Sequence, residues 1–423
     1  MNSETGAGAD ARGRNADAWG VVALGFMTLA LAFTVRGSLS LAMPVWQAEF
    51  GWTRGFISGI AAVALLVMAT VAPFAGGLVD RRGSRALLMG GLAAVGTGVV
   101  LVAAARPDAG AWLLPLGFAG VASIGFGTIA QHVVAAAIAQ RVVQRRGLAV
   151  GIGAAGSTAG QLLLMPVLAY FMQSGEWRLS FQLLAVACFL LIPVTWFTLR
   201  APGGAAPRNA YNGRAGEHRN IRDDLGALVR SPVYHAVFWS FAICGFTTTG
   251  VIETHLMPYA ALCGFGPLPS ATAYGVLSAL NLTGMIAAGW LSDRMHRPQL
   301  LAIIYMARAA AFVLLMFVAG NYPMLIVFAV LFGLFDYSTV PVTASYLASR
   351  LGIGRLGLSM GVLSAGHAVG AAAGAWAGGA VFDGSGGYGV LWIASVALAV
   401  IASLLVVALG DSERAMRRAP AAA

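Results

Sequence analysis

Charge is what this sequence most lacks. Only 10% of its 423 residues are charged, against about a quarter in soluble proteins, and lysine is absent: all 26 basic residues are Arg. Water therefore cannot be the main solvent of this chain. Cysteine is nearly as scarce. Cys188, Cys244 and Cys263 are an odd number without metal-type spacing, which argues against a disulfide framework and a thiolate metal centre and leaves them as apolar filler. No nucleotide loop, metal-ligand cluster or nucleophilic triad is apparent. The run Gly151-Ile152-Gly153-Ala154-Ala155-Gly156 resembles a dinucleotide loop but sits inside an apolar segment with no strand before it. The chain reads as a non-enzyme without cofactor or metal. Residues 1–18 are polar, with no apolar core or small-residue cleavage site, so no cleavable signal is expected and the first apolar run directs insertion.

In place of charge stand apolar residues, 59% of the chain. They fall in runs of about 20 or more, each long enough to cross a hydrocarbon core of about 30 Å as a helix. Twelve spans are predicted, at 19–42, 55–79, 86–105, 112–140, 147–173, 180–199, 234–262, 268–292, 298–320, 323–349, 357–382 and 387–410. A membrane barrel would need alternating segments of about ten residues, whereas these runs are continuously apolar. The expected fold class is an all-α membrane protein.

The formal charge of +10 would suggest nucleic acid in a soluble domain. Threading twelve spans instead puts 21 Arg on the side holding both termini, 3 on the other (Arg54, Arg106 and Arg178) and 2 within spans (Arg36 and Arg308). That asymmetry predicts cytoplasmic termini and an inner-membrane location, with lipid rather than nucleic acid as the partner of the basic residues. The domain plan is a cytoplasmic tail 1–18, a six-helix half 19–199, a linker 200–231, a second half 232–410 and a tail 411–423. The linker carries Pro202, Pro207, Gly203 and Gly204, with a short surface helix expected around Asp223 to Arg230.

The halves repeat. Gly76-x-x-x-Asp80-Arg81-x-Gly83-x-Arg85 after the second span returns as Gly289-x-x-x-Asp293-Arg294 after the eighth, an offset of 213. Arg145 to Gly160 matches Arg355 to Gly370 at 7 of 16 positions, an offset of 210. A parallel repeat of two six-helix halves predicts a central cavity with a site near the midplane.

The first of these segments closely resembles the cytoplasmic loop signature of the major facilitator superfamily, and the resemblance covers nearly the whole chain. Within that superfamily, Arg145-Arg146-Gly147-Leu148-Ala149-Val150-Gly151 with Ala155-Gly156 looks like the monocarboxylate porter signature, with Gln144 in place of its first Lys. Fragments resembling bacterial relatives of that branch include FGWTR at Phe50 to Arg54, TTGVIETHLMPYA in the seventh span and GHAVGAAAGAWAGGAVFD in the eleventh. The resemblance implies a bacterial inner-membrane secondary transporter, able to work as a monomer. Its expected cargo is a small organic anion, a carboxylate, moved by alternating access with a proton or a counter-solute. Gly76, Asp80, Arg81, Gly83, Arg85, Asp293 and Arg294 are implied to gate it. The alternatives are proton-driven efflux of drugs or amphipathic metabolites, and a transporter-like sensor.

Ionisable residues inside spans cost about 2.5–3.5 kcal/mol on insertion scales, so each is a functional candidate. In the family, spans one, four, seven and ten line the cavity, with two, five, eight and eleven beside them. Arg36, roughly 25 Å along the first span at 1.5 Å per residue, is the expected carboxylate-binding cation, or a snorkelling interface residue. His367 in the eleventh span aligns with Ser157 in the fifth and is expected to bind substrate or carry a proton. Gln161 and Asn281 are uncharged substrate candidates, or interhelical hydrogen-bond partners. Asp336 is a proton-coupling candidate, with Arg308 in reach as a structural ion pair or competitor. Glu253 and His255, two positions apart and facing different ways, are an extracellular gate or headgroup-contacting residues, and Glu253 is a further proton-coupling candidate. Trp46, Trp52, Trp112 and Trp177 read as interface belts.

Overall fold

The computed structural model describes residues 4–82, 84–108, 110–131, 133, 134, 137, 138, 146–199, 221–292, 294–351 and 356–418. Their regular structure is helical throughout. In chain order the helices are α1 (Glu4–Phe50), α2 (Arg54–Arg82), α3 (Ser84–Ala104), α4 (Leu113–Thr128), α5 (Arg146–Gln173), α6 (Trp177–Thr198), α7 (Ile221–Arg230), α8 (Pro232–Leu262), α9 (Pro267–Ser292), α10 (Arg297–Leu315), α11 (Tyr322–Asp336), α12 (Thr339–Leu351), α13 (Leu356–Ser385) and α14 (Gly389–Arg418). Among the described residues, ten helical stretches have the length and apolarity to cross a membrane; α4 is a shorter apolar helix. Amphipathic α7 occupies the end of the expected linker, where Leu228 is buried in a cluster with Tyr234, Leu301 and Leu347.

Two expected spans are interrupted. The fourth, drawn through 140, breaks after Thr128, where Ile129 leaves helical geometry at φ −97° and ψ 44°, and described residues from Gln131 to Ile138 are helical again. The tenth, drawn from 323 to 349, is two helices, α11 and α12, with a turn at Tyr337 and Ser338. Neither break has a proline at its own position, so a window of apolar residues passes over it. Within α4 and α8 lie π-helical turns, Leu116–Ala122 and Phe246–Ile252. A π turn takes up an extra residue, which swings all later side chains by about 100° from their 3.6-residue positions.

The chain forms two compact units, Met1–Leu39 with Val67–Asn212 and Ser40–Leu66 with Gly213–Ala423. The division falls inside α1 and α2, so the ends of these helices around residue 50 belong with the second unit.

Glycine sets the packing within each unit, and it does so twice in the same way. In the first, a side chain at Gly156 or Gly160 of α5 would strike the backbone of Phe26 or Ala30 on α1. In the second, one at Gly366 or Gly370 of α13 would strike the Phe238 ring or the backbone of Ala242 on α8. These glycines stand 210 residues apart and their partners 212, so the repeat read in the sequence is also a repeat of helix contacts. Lipid tails are as apolar as leucine, so close backbone approach of this kind is a main source of helix association in a membrane. Trp46 and Trp177, expected at interfaces, are only 0% and 2% exposed and fill these interiors instead; Trp112 is 64% exposed.

Candidate functional site

The second unit concentrates the buried ionisable groups. Arg308 on α10 is 1% exposed, an expensive place for a cation unless its donors are occupied. Its Nη2 donates to Thr247 Oγ1 at 2.8 Å and its Nη1 to Cys244 Sγ at 3.1 Å, both on α8. Cys244, expected as filler, is thus a polar partner, and it also meets Thr339 Oγ1 at 3.5 Å. Asp336, 1% exposed, ends α11 and lies within electrostatic reach of Arg308. The two do not pair through a direct hydrogen bond. Asp336 Oδ2 accepts from Asn281 Nδ2 on α9 at 3.0 Å, and among the described residues neither Asp336 Oδ1 nor Arg308 Nε has a partner.

The interruption of the tenth span arranges this cluster. Tyr337 N–H, instead of continuing the helix, donates to Asn281 Oδ1 at 3.2 Å, so one amide serves both the freed backbone and the carboxylate. Broken backbone at membrane depth is tolerated when side chains re-satisfy it in this way. Tyr337 OH then reaches across to α8 and donates to Glu253 Oε1 at 2.6 Å, where Thr249 Oγ1 also donates at 3.1 Å. Gly333 and Gly284 make the close approach of α9 and α11 possible: a side chain on either would meet the backbone of Leu277 or Leu334.

Glu253, expected near the outer end of its span, therefore joins Asp336 at the helix break, and His255 goes elsewhere. His255 is 0% exposed, which removes the headgroup reading. Its Nε2 lies 2.8 Å from Ala375 O and its Nδ1 3.3 Å from Tyr388 OH. A donor at the Ala375 carbonyl leaves Nδ1 to accept from the tyrosine. Tyr388 OH in turn accepts from Arg54 Nη1 at 3.0 Å. The Arg54 guanidinium also donates from Nε to Gln47 Oε1 at 2.8 Å and stacks 3.7 Å over the Phe382 ring. Asp383 caps α2: its two oxygens accept from Arg54 N at 3.1 Å and Gly55 N at 2.7 Å, the placement a helix N-terminus favours for an anion. Gly51 (φ 67°) and Gly386 (φ 70°) make the two turns that bring these ends together.

Sequence reasoning missed Arg54, Asp383, Tyr388 and Tyr337. Arg54 and Asp383 each close a family-like fragment, FGWTR and GHAVGAAAGAWAGGAVFD, but neither carries a site role in the sequence reading. With 16 acidic residues in the chain, matching each span-end acid to a span-end Arg was the available signal.

In the first unit Arg36 is half-buried, its guanidinium 4.4 Å over the Phe33 ring, and the neighbouring Gly37 faces the Gln161 amide and Met165. Gln161 is buried, and Ser157 accepts from Gln131 at 3.1 Å. His367 belongs to the second unit, half-buried beside Cys244, its ring 5.0 Å from that of Phe241. Arg36 with Gln161 and His367 with Arg308 are thus two separate groups by unit. Of the gating candidates, Arg85 stacks 3.5 Å over Trp196 and Arg294 3.9 Å over Trp290. Gly83 and Asp293 lie outside the described residues, as do the surroundings of Gly76 and the side chains of Asp80 and Arg81.

The profile of the Major Facilitator Superfamily matches this sequence over residues 25–321 and 288–423, overlapping stretches that span nearly all of it. The chain belongs to the Major Facilitator Superfamily. Among curated members, it is similar to rat monocarboxylate transporter 13, at 24% identity over 395 residues, covering 92% of this chain and 88% of the relative. An uncharacterised superfamily transporter of Bacillus subtilis, YcxA, is 24% identical over 381 residues (88% and 90%), and human monocarboxylate transporter 11 is 28% identical over 380 residues (83% and 75%). The crystal structure of a D-xylose-proton symporter superimposes with a TM-score of 0.73, covering 92% of this chain and 96% of the symporter at 15% identity, a likeness of fold alone. Like other members of the superfamily, the chain is a multi-pass secondary transporter of small molecules and not an enzyme.

Proposed function

We propose that this transporter moves a small carboxylate across the bacterial inner membrane by alternating access, with both termini cytoplasmic and twelve spans in two six-helix repeats. The two spans beyond the ten apolar helices are α4 and α13. Arg36 holds the carboxylate, aided by the Gln161 amide on the helix beside it; a guanidinium in a low-dielectric setting presents two parallel donors to a carboxylate. Asp336 takes up the coupled proton, and Glu253, tied to it through Tyr337, shares that task. His367, beside Cys244 and one step from Arg308, completes the polar lining of the second unit.

The observation that carries this reading is the cluster itself. Asp336 stands at the break of the tenth span with Glu253 and Arg308 on the helices beside it, and buried atoms of opposite sign are left without partners among the described residues. A purely structural ion pair would be expected to close those valences. The relatives named monocarboxylate transporters support the choice of substrate class.

The test is counterflow in proteoliposomes with a panel of radiolabelled mono- and dicarboxylates, with and without an imposed pH gradient. Accumulation of one acid that rises with inward proton drive is the expected result. Absence of flux for every acid, from vesicles containing folded protein, refutes the substrate class.

A further inference from the structure

We infer that Asn281 is a positioning residue that dictates which oxygen of Asp336 receives the proton, and that this oxygen is Oδ1. The inference rests on the proton-coupling reading above and deepens it.

The argument begins with a donor that has no choice. Tyr337 N–H, freed where α11 ends, is a donor only, and its partner at 3.2 Å is an Asn281 side-chain atom. That atom must be the carbonyl oxygen, because the NH2 group would set donor against donor. The amide orientation is thereby fixed from outside the carboxyl group. Its NH2 end, 3.0 Å from Asp336 Oδ2, then requires an acceptor at Oδ2. An ionised Asp336 satisfies this, and so does a protonated one, most fully with the hydrogen on Oδ1, which keeps the stronger carbonyl acceptor at Oδ2. Protonation at Oδ2 would leave the Asn281 NH2 group only the weaker acceptor of a carboxylic hydroxyl, or force the amide to turn and lose Tyr337.

Oδ1 is the oxygen left open. It is buried and has no hydrogen-bond partner among the described residues, so a proton can occupy it without displacing any bond of the cluster. The other charged or titratable groups acting on Asp336 are Arg308 on α10 and Glu253 and Cys244 on α8; each is held by its own partners, Thr247 and Cys244 for Arg308, Tyr337 and Thr249 for Glu253, Thr339 for Cys244. None of these bonds reaches the carboxylate, so among hydrogen-bonding groups Asn281 is the one that distinguishes its two oxygens. In the proposed step an O–H bond forms at Oδ1 with a proton from the aqueous phase, and Oδ2 becomes the C=O oxygen, still accepting from Asn281. This assigns Asn281 to the coupling machinery in place of the substrate contact expected from its span.

Infrared difference spectroscopy reads this directly and needs no substrate. The full chain in liposomes is cycled between mildly acidic and mildly alkaline buffer. The wild type should show a carboxylic C=O band at acid pH that Asp336→Asn lacks. Asn281→Leu should move that band to higher wavenumber, because its carbonyl has lost a hydrogen-bond donor. The smaller, polar Asn281→Ser makes the same measurement should the leucine variant fail to insert. A band that depends on Asp336 but stays at the wild-type position in the Asn281 variant overturns the inference and leaves proton coupling standing. No acid-pH band dependent on Asp336 removes the proton-coupling reading itself.

Discussion

The second unit holds two polar networks that share helices and differ in completeness. Around Arg54, every group has a protein partner: the guanidinium meets Gln47, Tyr388 and the Phe382 face, both Asp383 oxygens accept backbone N–H groups, and both His255 nitrogens are engaged. Around Asp336 the bonding is incomplete, with Asp336 Oδ1 and Arg308 Nε left over among the described residues. A network bonded in this way is suited to hold chain ends together. An unsaturated one, in a medium where an unsatisfied polar atom is costly, is suited to bind something. The contrast separates a mechanical role from a chemical one, although both networks use an Arg, an acid and a Tyr.

The contrast breaks most visibly at Arg308. Arg308→Leu strands Asp336 in the interior, and losing one partner of a buried pair costs about 3–5 kcal/mol. Thermal unfolding in detergent should show it, and the double substitution with Asp336→Leu should recover most of the loss. Full stability of the single variant would mean that Asp336 does not feel Arg308.

The seam between α8 and α13 carries members of both networks, Cys244, Glu253 and His255 on one side and His367 and Ala375 on the other. Gly370→Ala would drive a methyl group into the Ala242 backbone and should cost about 1–3 kcal/mol as overpacking. Gly361→Ala, where a side chain meets nothing within 4 Å, is the control and should change stability by less than about 0.5 kcal/mol.

The smallest of these effects belongs to the saturated network. Asp383→Ala removes the acceptor of the Arg54 and Gly55 amides, and hydrogen exchange at the start of α2 should quicken about tenfold, equivalent to roughly 1.4 kcal/mol. Asp383 is exposed, which keeps the effect modest. Unchanged exchange would show that the cap does not hold α2.

How much of this was readable beforehand follows from the physics of each signal. Run length and apolarity marked the helices, because spanning a bilayer demands them whatever the sequence. Internal repetition was readable in Gly160 and Gly370, because close helix packing accepts nothing larger. The break at Tyr337 was invisible, since apolar residues flank it and a side chain on another helix repairs it. The π turn at Phe246–Ile252 had no marker either, yet it turns Glu253 toward Tyr337 and His255 toward Tyr388. Buried acids and bases announced themselves as costly, but Asn281 lies 55 residues from Asp336 and Tyr388 133 from His255, distances no local pattern spans.

Transport by Asp336→Asn tests the central claim most directly. With a responsive carboxylate, the wild type should accumulate more label under an inward proton gradient, while the variant should retain substrate counterflow and lose the response to the gradient. Gradient-driven accumulation that survives in Asp336→Asn would contradict the account, because the proton would then be carried elsewhere.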